Sequence, residues 1–281
     1  MRHGFRAFLS AGILASGLLI SQISLEAQAA QAPTAQAAAP AYRAPRTADG
    51  KPNLNGIWQA LNEANWDLEP HAAYQGSLLT VGAQFSVPPG IGVVEGGTIP
   101  YKPEALAKKK ENFANRAKAD PEVKCYMGGV PRSTYLPYPF QIIQGSGTIM
   151  MAYEFAGAVR TINMGKPTEP PTDSWMGWSN GRWEGETLVV DVTGLNDQTW
   201  FDRAGNYHSD MLHVVERYTP RSADSLTYEA TIEDPQTFTR PWKISMVLYK
   251  RAEKGAQLME YKCPEFAEEV IYGHLRKQTS K

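Results

Sequence analysis

The chain has 281 residues, with 28 Lys and Arg against 29 Asp and Glu, so its formal net charge is -1. Hydrophobic residues make up 42% and charged residues 20%, a globular composition that argues against a disordered, collagenous or coiled-coil chain. The near-neutral balance removes nucleic acid as an obvious partner, because phosphate binding needs a basic surface. The 24 Gly and 20 Pro punctuate turns, and the 7 Trp and 13 Tyr favour strands.

Residues 1–29 read as a secretory signal peptide. Arg2 and Arg6 precede an apolar run from Ala7 to about Ile20, and Ala27-Gln28-Ala29 offers a cleavage site. A periplasmic or secreted protein is therefore expected. The apolar run is too short and too broken for a membrane span, and no later segment is long enough. Residues 30–51, rich in Ala and Pro, read as a disordered leader. One domain is expected over 52–276, with 277–281 as a tail. In an exported chain, Cys125 and Cys263 read as a disulfide.

From Asn62 to Tyr101 the pattern is irregular and Gly/Pro-rich, which predicts long loops covering a site. Pro103 to Ala119 predicts a helix, opened by Pro103 and Glu104, with Leu106, Phe113 and Ala117 as its apolar face. From Phe140 onward short strands are expected at Phe140–Gln144, Thr148–Phe155, Ala158–Met164, Trp175–Ser179 and Arg182-Trp183. Asn180-Gly181 reads as a hairpin turn between the last two. Further strands are expected at Thr187–Thr193, Leu212–Thr219, Leu226–Ile232 and Trp242–Arg251, and near Met259–Lys262. Pro264–Leu275 reads as a terminal helix with Phe266, Val270, Ile271 and Leu275 on one side. This spacing, with no alternation of helix and strand, predicts a mainly β fold: an antiparallel meander closed into a barrel.

Gly56-Ile57-Trp58 resembles the G-x-W that opens lipocalin-like (calycin) barrels. The resemblance implies a Trp at the barrel base under a basic side chain from a late strand, with Arg251 or Arg217 as candidates. A broader likeness runs from Gly128 to Cys263. Gly129-Val130-Pro131-Arg132, Tyr138-Pro139-Phe140, the run from Gly181 to Leu188, His208-Ser209, Glu216-Arg217-Tyr218 and Asp234-Pro235 carry it. They resemble a poorly characterised family of exported bacterial proteins, common in acidobacteria and sphingomonads. Some of its members resemble cofactor-free decarboxylases of lignin-derived aromatic acids. The likeness implies a small aromatic ligand and no cofactor.

Motif chemistry narrows the candidates. Beyond the expected signal peptide, the histidines His71, His208, His213 and His274 form no H-E-x-x-H or H-x-H, so no metal site is expected. There is no G-x-S-x-G elbow and no phosphate-cradling Gly pattern. What remains is an acid–base set. Arg132 or Arg160 would clamp a carboxylate by paired hydrogen bonds. An ordinary ion pair with Glu154 is the alternative for Arg160. His208, Glu216 and Tyr153 are the candidate proton carriers. On one straight strand His208 and Glu216 would lie about 26 Å apart, so they can share a site only if His208 sits on a returning loop. Tyr135, Trp175, Trp178 and Trp200 are the expected aromatic wall. The leading expectation is a carboxy-lyase. A periplasmic carrier of a small hydrophobic or aromatic ligand is the alternative, with the oligomeric state open and a homodimer one candidate.

Overall fold

The computed structural model describes residues 42–76 and 86–275. The expected signal peptide and the expected tail lie outside the described residues. Nine strands among the described residues close a barrel in sequence order. They are β1 (Gly56–Ala60), β2 (Phe140–Gln144), β3 (Thr148–Tyr153), β4 (Val159–Asn163), β5 (Trp178–Glu184), β6 (Thr187–Thr193), β7 (His213–Ser222), β8 (Ser225–Glu233) and β9 (Trp242–Lys250). β9 returns to pair with β1 and closes the ring. The fold is a mainly β, lipocalin-like barrel.

The meander is not wholly antiparallel. β4 and β5 pair in parallel, and every other neighbouring pair is antiparallel. Parity requires this, since an odd ring cannot close with every strand reversed relative to both neighbours. The link between Asn163 and Trp178 is correspondingly long, as a parallel crossover demands.

The period-2 alternation puts one face of each strand inside. Along β7 the buried positions are Val214, Glu216, Tyr218 and Pro220. Along β8 they are Leu226, Tyr228, Ala230 and Ile232, and along β9 Trp242, Ile244, Met246 and Leu248. Burial of these side chains, at about 1.5–3 kcal/mol each for the larger apolar ones, is the main stabilising term.

Several expected boundaries move for identifiable reasons. Asn180-Gly181 is not a hairpin; β5 runs straight through it and the turn falls at Gly185. The Asn180 side chain is already engaged, accepting from Thr168 N and Asn163 Nδ2. Gly181 is needed for close approach, because a Cβ there would meet Met164 Sδ at 2.4 Å. No strand forms at Met259–Lys262. That stretch is held by its side chains, with Tyr261 against Tyr138 and Phe155.

Helix α1 spans Pro103–Ala119 as expected, but its buried face is Ala105 and Asn112, while Leu106 is exposed. Asn112 Nδ2 donates to Gly205 O, and Tyr207 OH donates to Ala105 O. A 3-10 turn follows at Pro121–Lys124, then the single-turn helix α2 (Arg132–Tyr135). The terminal helix shortens to α3 (Ala267–Tyr272) with a 3-10 turn after it, and Val270 and Ile271 are exposed rather than packed. Cys125 and Cys263 form a disulfide across 138 residues.

Residues 42–51, inside the expected leader, run against the barrel. Ala44 N donates to Glu186 Oε2, and Arg46 pairs with Glu186 Oε1. At the base, Lys250 Nζ lies 5.6 Å above the Trp58 ring. Lys250 takes the place expected of Arg251 or Arg217. The reason is parity: position 250 continues the inward series of β9. Arg251 pairs with Glu253, and Arg217 points outward to Glu184. No helix among the described residues is long and apolar enough to cross a membrane.

Candidate acid–base site inside the barrel

Arg160 and Glu216 meet inside the barrel. Val159–Asn163 alternates exposed and buried, which turns Arg160 inward with Ile162. The same alternation along β7 turns Glu216 inward. Arg160 Nη2 bonds Glu216 Oε2, and Arg160 Nε donates to Ser179 Oγ at 2.8 Å. Tyr218 OH and Tyr228 OH both donate to Glu216 Oε1, at 2.9 and 2.8 Å. The carboxylate thus takes three donors, one of them charged. Arg160 does not pair with Glu154, whose Oε2 accepts from Met259 N instead.

One donor is left over. Arg160 Nη1 is buried and makes no hydrogen bond. The Tyr153 phenol faces the guanidinium, which acts on it as charge and hydrogen-bond partner against the effect of burial, although Nη1 itself meets no partner in full hydrogen-bond geometry. Its hydroxyl is 3.5 Å from Met151 Sδ. Thr134 Oγ1, on α2, reaches Tyr218 OH at 3.4 Å. Burial and the neighbouring Glu216 push the Tyr218 and Tyr228 phenols well above their ordinary 10. Burial does the same to Tyr153, in the face of the Arg160 charge. All three are therefore neutral donors near pH 7.

Arg132 belongs to a different cluster. Its Nε donates to Asn65 Oδ1, its Nη1 and Nη2 to the two Asp120 oxygens, and Nη2 also to Glu122 Oε2 at 2.6 Å. Arg203 takes the other side of Glu122 through Nε and Nη2, both at 2.8 Å, and reaches Glu268 through Nη1. Every guanidinium nitrogen of both arginines is used. Burial would raise the Glu122 carboxyl, but Arg203 and Arg132 hold it down at about 2.

His208 does lie on a loop, between Trp200 and β7. Its Nε2 is 2.6 Å from Thr199 Oγ1 and its Nδ1 is 2.8 Å from Ser209 O. Gly129 lets the chain approach there, since a Cβ would meet Thr199 Oγ1 at 2.6 Å. Burial pushes the imidazole below its ordinary value. The ring packs on Phe201. Among the described residues, His208 makes no hydrogen bond or ring contact with Arg160, Glu216 or Tyr153.

The expected aromatic wall does not assemble. Tyr135 is buried and donates to Phe201 O at 2.8 Å. Trp175 packs on Tyr126. Trp178 sits on the outer face of β5, with Nε1 on Thr168 Oγ1. Trp200 pairs through its backbone with Tyr207. The rings of Tyr135, Trp175 and Trp178 are each committed to a separate neighbour. The site instead gains Tyr218, Tyr228, Ser179 and Thr134. The first two were within reach of sequence reasoning, because Tyr218 shares parity with Glu216 and Tyr228 shares parity with Ala230 and Ile232.

Fold and interior together define a closed β-barrel that buries an Arg–Glu pair among three phenols. No protein-family model matches the chain, and no curated protein matches it.

Proposed function

We propose that the protein is a cofactor-independent carboxy-lyase, acting inside the barrel on a phenolic aromatic carboxylic acid of the lignin-derived kind. The observation that supports this reading is the spare, buried Nη1 of Arg160 beside a carboxylate and three neutral phenols. An apolar interior would be at least as stable without charges, since replacing a buried ion pair by apolar residues is often neutral or stabilising by about 1–4 kcal/mol. A guanidinium kept there with an open donor fits the recognition of a carboxylate. The disulfide fits an oxidising compartment, and we place the protein in the periplasm or outside the cell.

In this reading Arg160 holds the substrate carboxylate. Glu216 takes the phenolic proton, with Tyr218 and Tyr228 as the phenols that bridge it to the ligand. A proton is delivered to the carbon bearing the carboxylate, giving a quinone-methide-like intermediate. The bond from that carbon to the carboxylate then breaks. Its electron pair restores the aromatic ring, carbon dioxide leaves, and the phenolate takes back a proton. Net, the acid becomes carbon dioxide and its carbon keeps a hydrogen. The phenol is its own electron sink, so the chemistry asks for no further group. Arg132 and His208 take no part, because their hydrogen bonds run to Asn65, Asp120 and Glu122 and to Thr199 and Ser209, away from the Arg160–Glu216 cluster.

The test is incubation of the purified mature protein, in chelator, with hydroxycinnamic and hydroxybenzoic acids, followed by product mass. Loss of carbon dioxide is expected in the wild type and in His208→Ala, and it should vanish in Arg160→Gln and Glu216→Gln. Turnover that survives both of the latter sinks the assignment. One observation favours a second reading: both Glu216 oxygens are already saturated by donors, as in a fixed binding pocket. Tight binding without a change of mass would favour that carrier.

A further inference from the structure

The barrel wall has a seam where β9 changes partner. β1 pairs with β9 only as far as Ala60 opposite Leu248. Farther along, the neighbour of β9 is a different segment. Val94 bridges Ile244, Ser245 N donates to Val93 O, and Glu95 N donates to Lys243 O. Between the end of β1 and this bridge lies Met246.

A cleft of about 510 Å³ opens over that gap. Its walls include Leu61, Ile91 and Tyr249, all exposed, and Met246 lines it too. Met246 is the informative residue. It has inward parity on β9 and is 6% exposed, and its partner in register is Tyr228. Tyr228 in turn donates to Glu216. Met246 therefore meets both sides: it lines the cleft, and it is the register neighbour of a Glu216 donor. It belongs to the apolar core, and its sulfur also accepts from Asn62 Nδ2 at 3.4 Å. Methionine is unbranched and changes rotamer easily, which suits a movable plug better than a Leu or Ile would.

We infer that this cleft is a lateral portal into the barrel, with Met246 as its gate, passing a flat aromatic molecule to the Arg160–Glu216 cluster. The inference rests on the reading of that cluster as a ligand site. The apolar rim suits an aromatic ring. Glu63 and Asp67 also line the cleft, so it passes the neutral form of a ligand more readily than the anion.

The experiment separates the portal from the chemistry. Both cysteines of the chain are in the disulfide, so a single introduced thiol reports alone. Ala230, on β8 beside Glu216 in register, carries the interior reporter as A230C. Ala204, buried outside the barrel, carries the control as A204C. The probe is 4,4′-dithiodipyridine, a neutral aromatic disulfide. The protein thiolate attacks it, forms a mixed disulfide and releases a thiopyridone that absorbs light. In the A230C background, Met246→Ala is expected to speed labelling about tenfold and Met246→Trp to slow it by a similar factor, because each changes the cost of local opening. In the A204C background neither should matter, whereas global unfolding would accelerate both reporters. Labelling of A230C that ignores both Met246 variants, or rises in parallel with A204C, overturns the portal. Failure of the aromatic acids to bind or react, with the gate effect intact, would overturn the functional reading alone.

Discussion

Arg132 and Arg160 are equally hidden, at 1% and 2% exposure, yet they sit in opposite circumstances. Arg132 joins pieces of chain that no ladder connects. It ties α2 to the turn at Pro121–Lys124 and to the loop at Asn65. Through Glu122 and Arg203 the network reaches Glu268 on α3. Arg160 and its partners sit on strands that backbone hydrogen bonds already hold. Their side-chain bonds add to pairing that the backbone already makes, and one guanidinium nitrogen has no hydrogen bond. Two buried arginines thus do different work. Where a charge network replaces missing backbone pairing its loss should cost the fold most, and where it sits inside a finished sheet its loss should cost less.

The largest expected effect breaks that comparison most directly. Arg132→Met leaves Asp120 without its cation in a buried site, while Glu122 keeps Arg203, and should cost about 3–5 kcal/mol in urea unfolding. The matched interior change replaces the whole cluster by R160M/E216L/Y218F/Y228F. It removes charges and donors together, so stability should stay within about 1 kcal/mol of wild type or rise. The same variant should lose all binding of 4-hydroxycinnamate. An interior variant as unstable as Arg132→Met would show that both clusters are structural.

Acid should attack the two regions unequally. The Glu122 carboxyl ordinarily titrates at 4.5, and the two arginines, opposing the effect of burial, hold it at about 2 in the fold. Its folded value is depressed, so its stabilising contribution is present above pH 4.5 and is lost as the pH falls toward 2. That loss amounts to about 3 kcal/mol. The Tyr218 and Tyr228 phenols lie far above this window and stay silent. Urea midpoints between pH 6 and pH 3 should therefore fall faster for wild type than for Glu122→Gln. Parallel curves would mean that the network does not carry the acid response.

The difference between the two regions also explains what could be read from sequence. Alternation along β7 and β4 was enough to turn Glu216 and Arg160 inward, because a period of two leaves only two faces to choose from. The barrel order followed from short strands and tight turns. Arg132 carried no such period. Its partners Asp120, Glu122 and Asn65 sit in a 3-10 turn and a loop, where spacing along the chain says nothing about direction. His208, Trp175 and Trp200 failed to join the site for the same reason: loop geometry placed each against its own neighbour, whereas Trp178 lies on the outward parity of β5. Asn180-Gly181 misled because an exposed turn and a close packing contact use the same two residues.

The smallest expected effect concerns a third cation, and it sets the scale for the other two. Lys250 is partly exposed above Trp58, so its charge keeps most of its water. Losing the ring contact in Lys250→Met should cost only about 0.5–1 kcal/mol. Its stem nevertheless dictates the sequence opposite. Gly56 has a φ of +149°, and a Cβ there would lie 2.5 Å from Lys250 Cε. Gly56→Ala should cost about 1–3 kcal/mol, from strained backbone and from displacing that stem. The combination of Gly56→Ala with Lys250→Ala relieves the second term and not the first. The double variant should therefore be more stable than the two single losses predict when summed. Strict additivity in urea unfolding would mean that the glycine serves its backbone angle alone. The cation over Trp58 would then be as dispensable for the fold as the charges inside the barrel are expected to be.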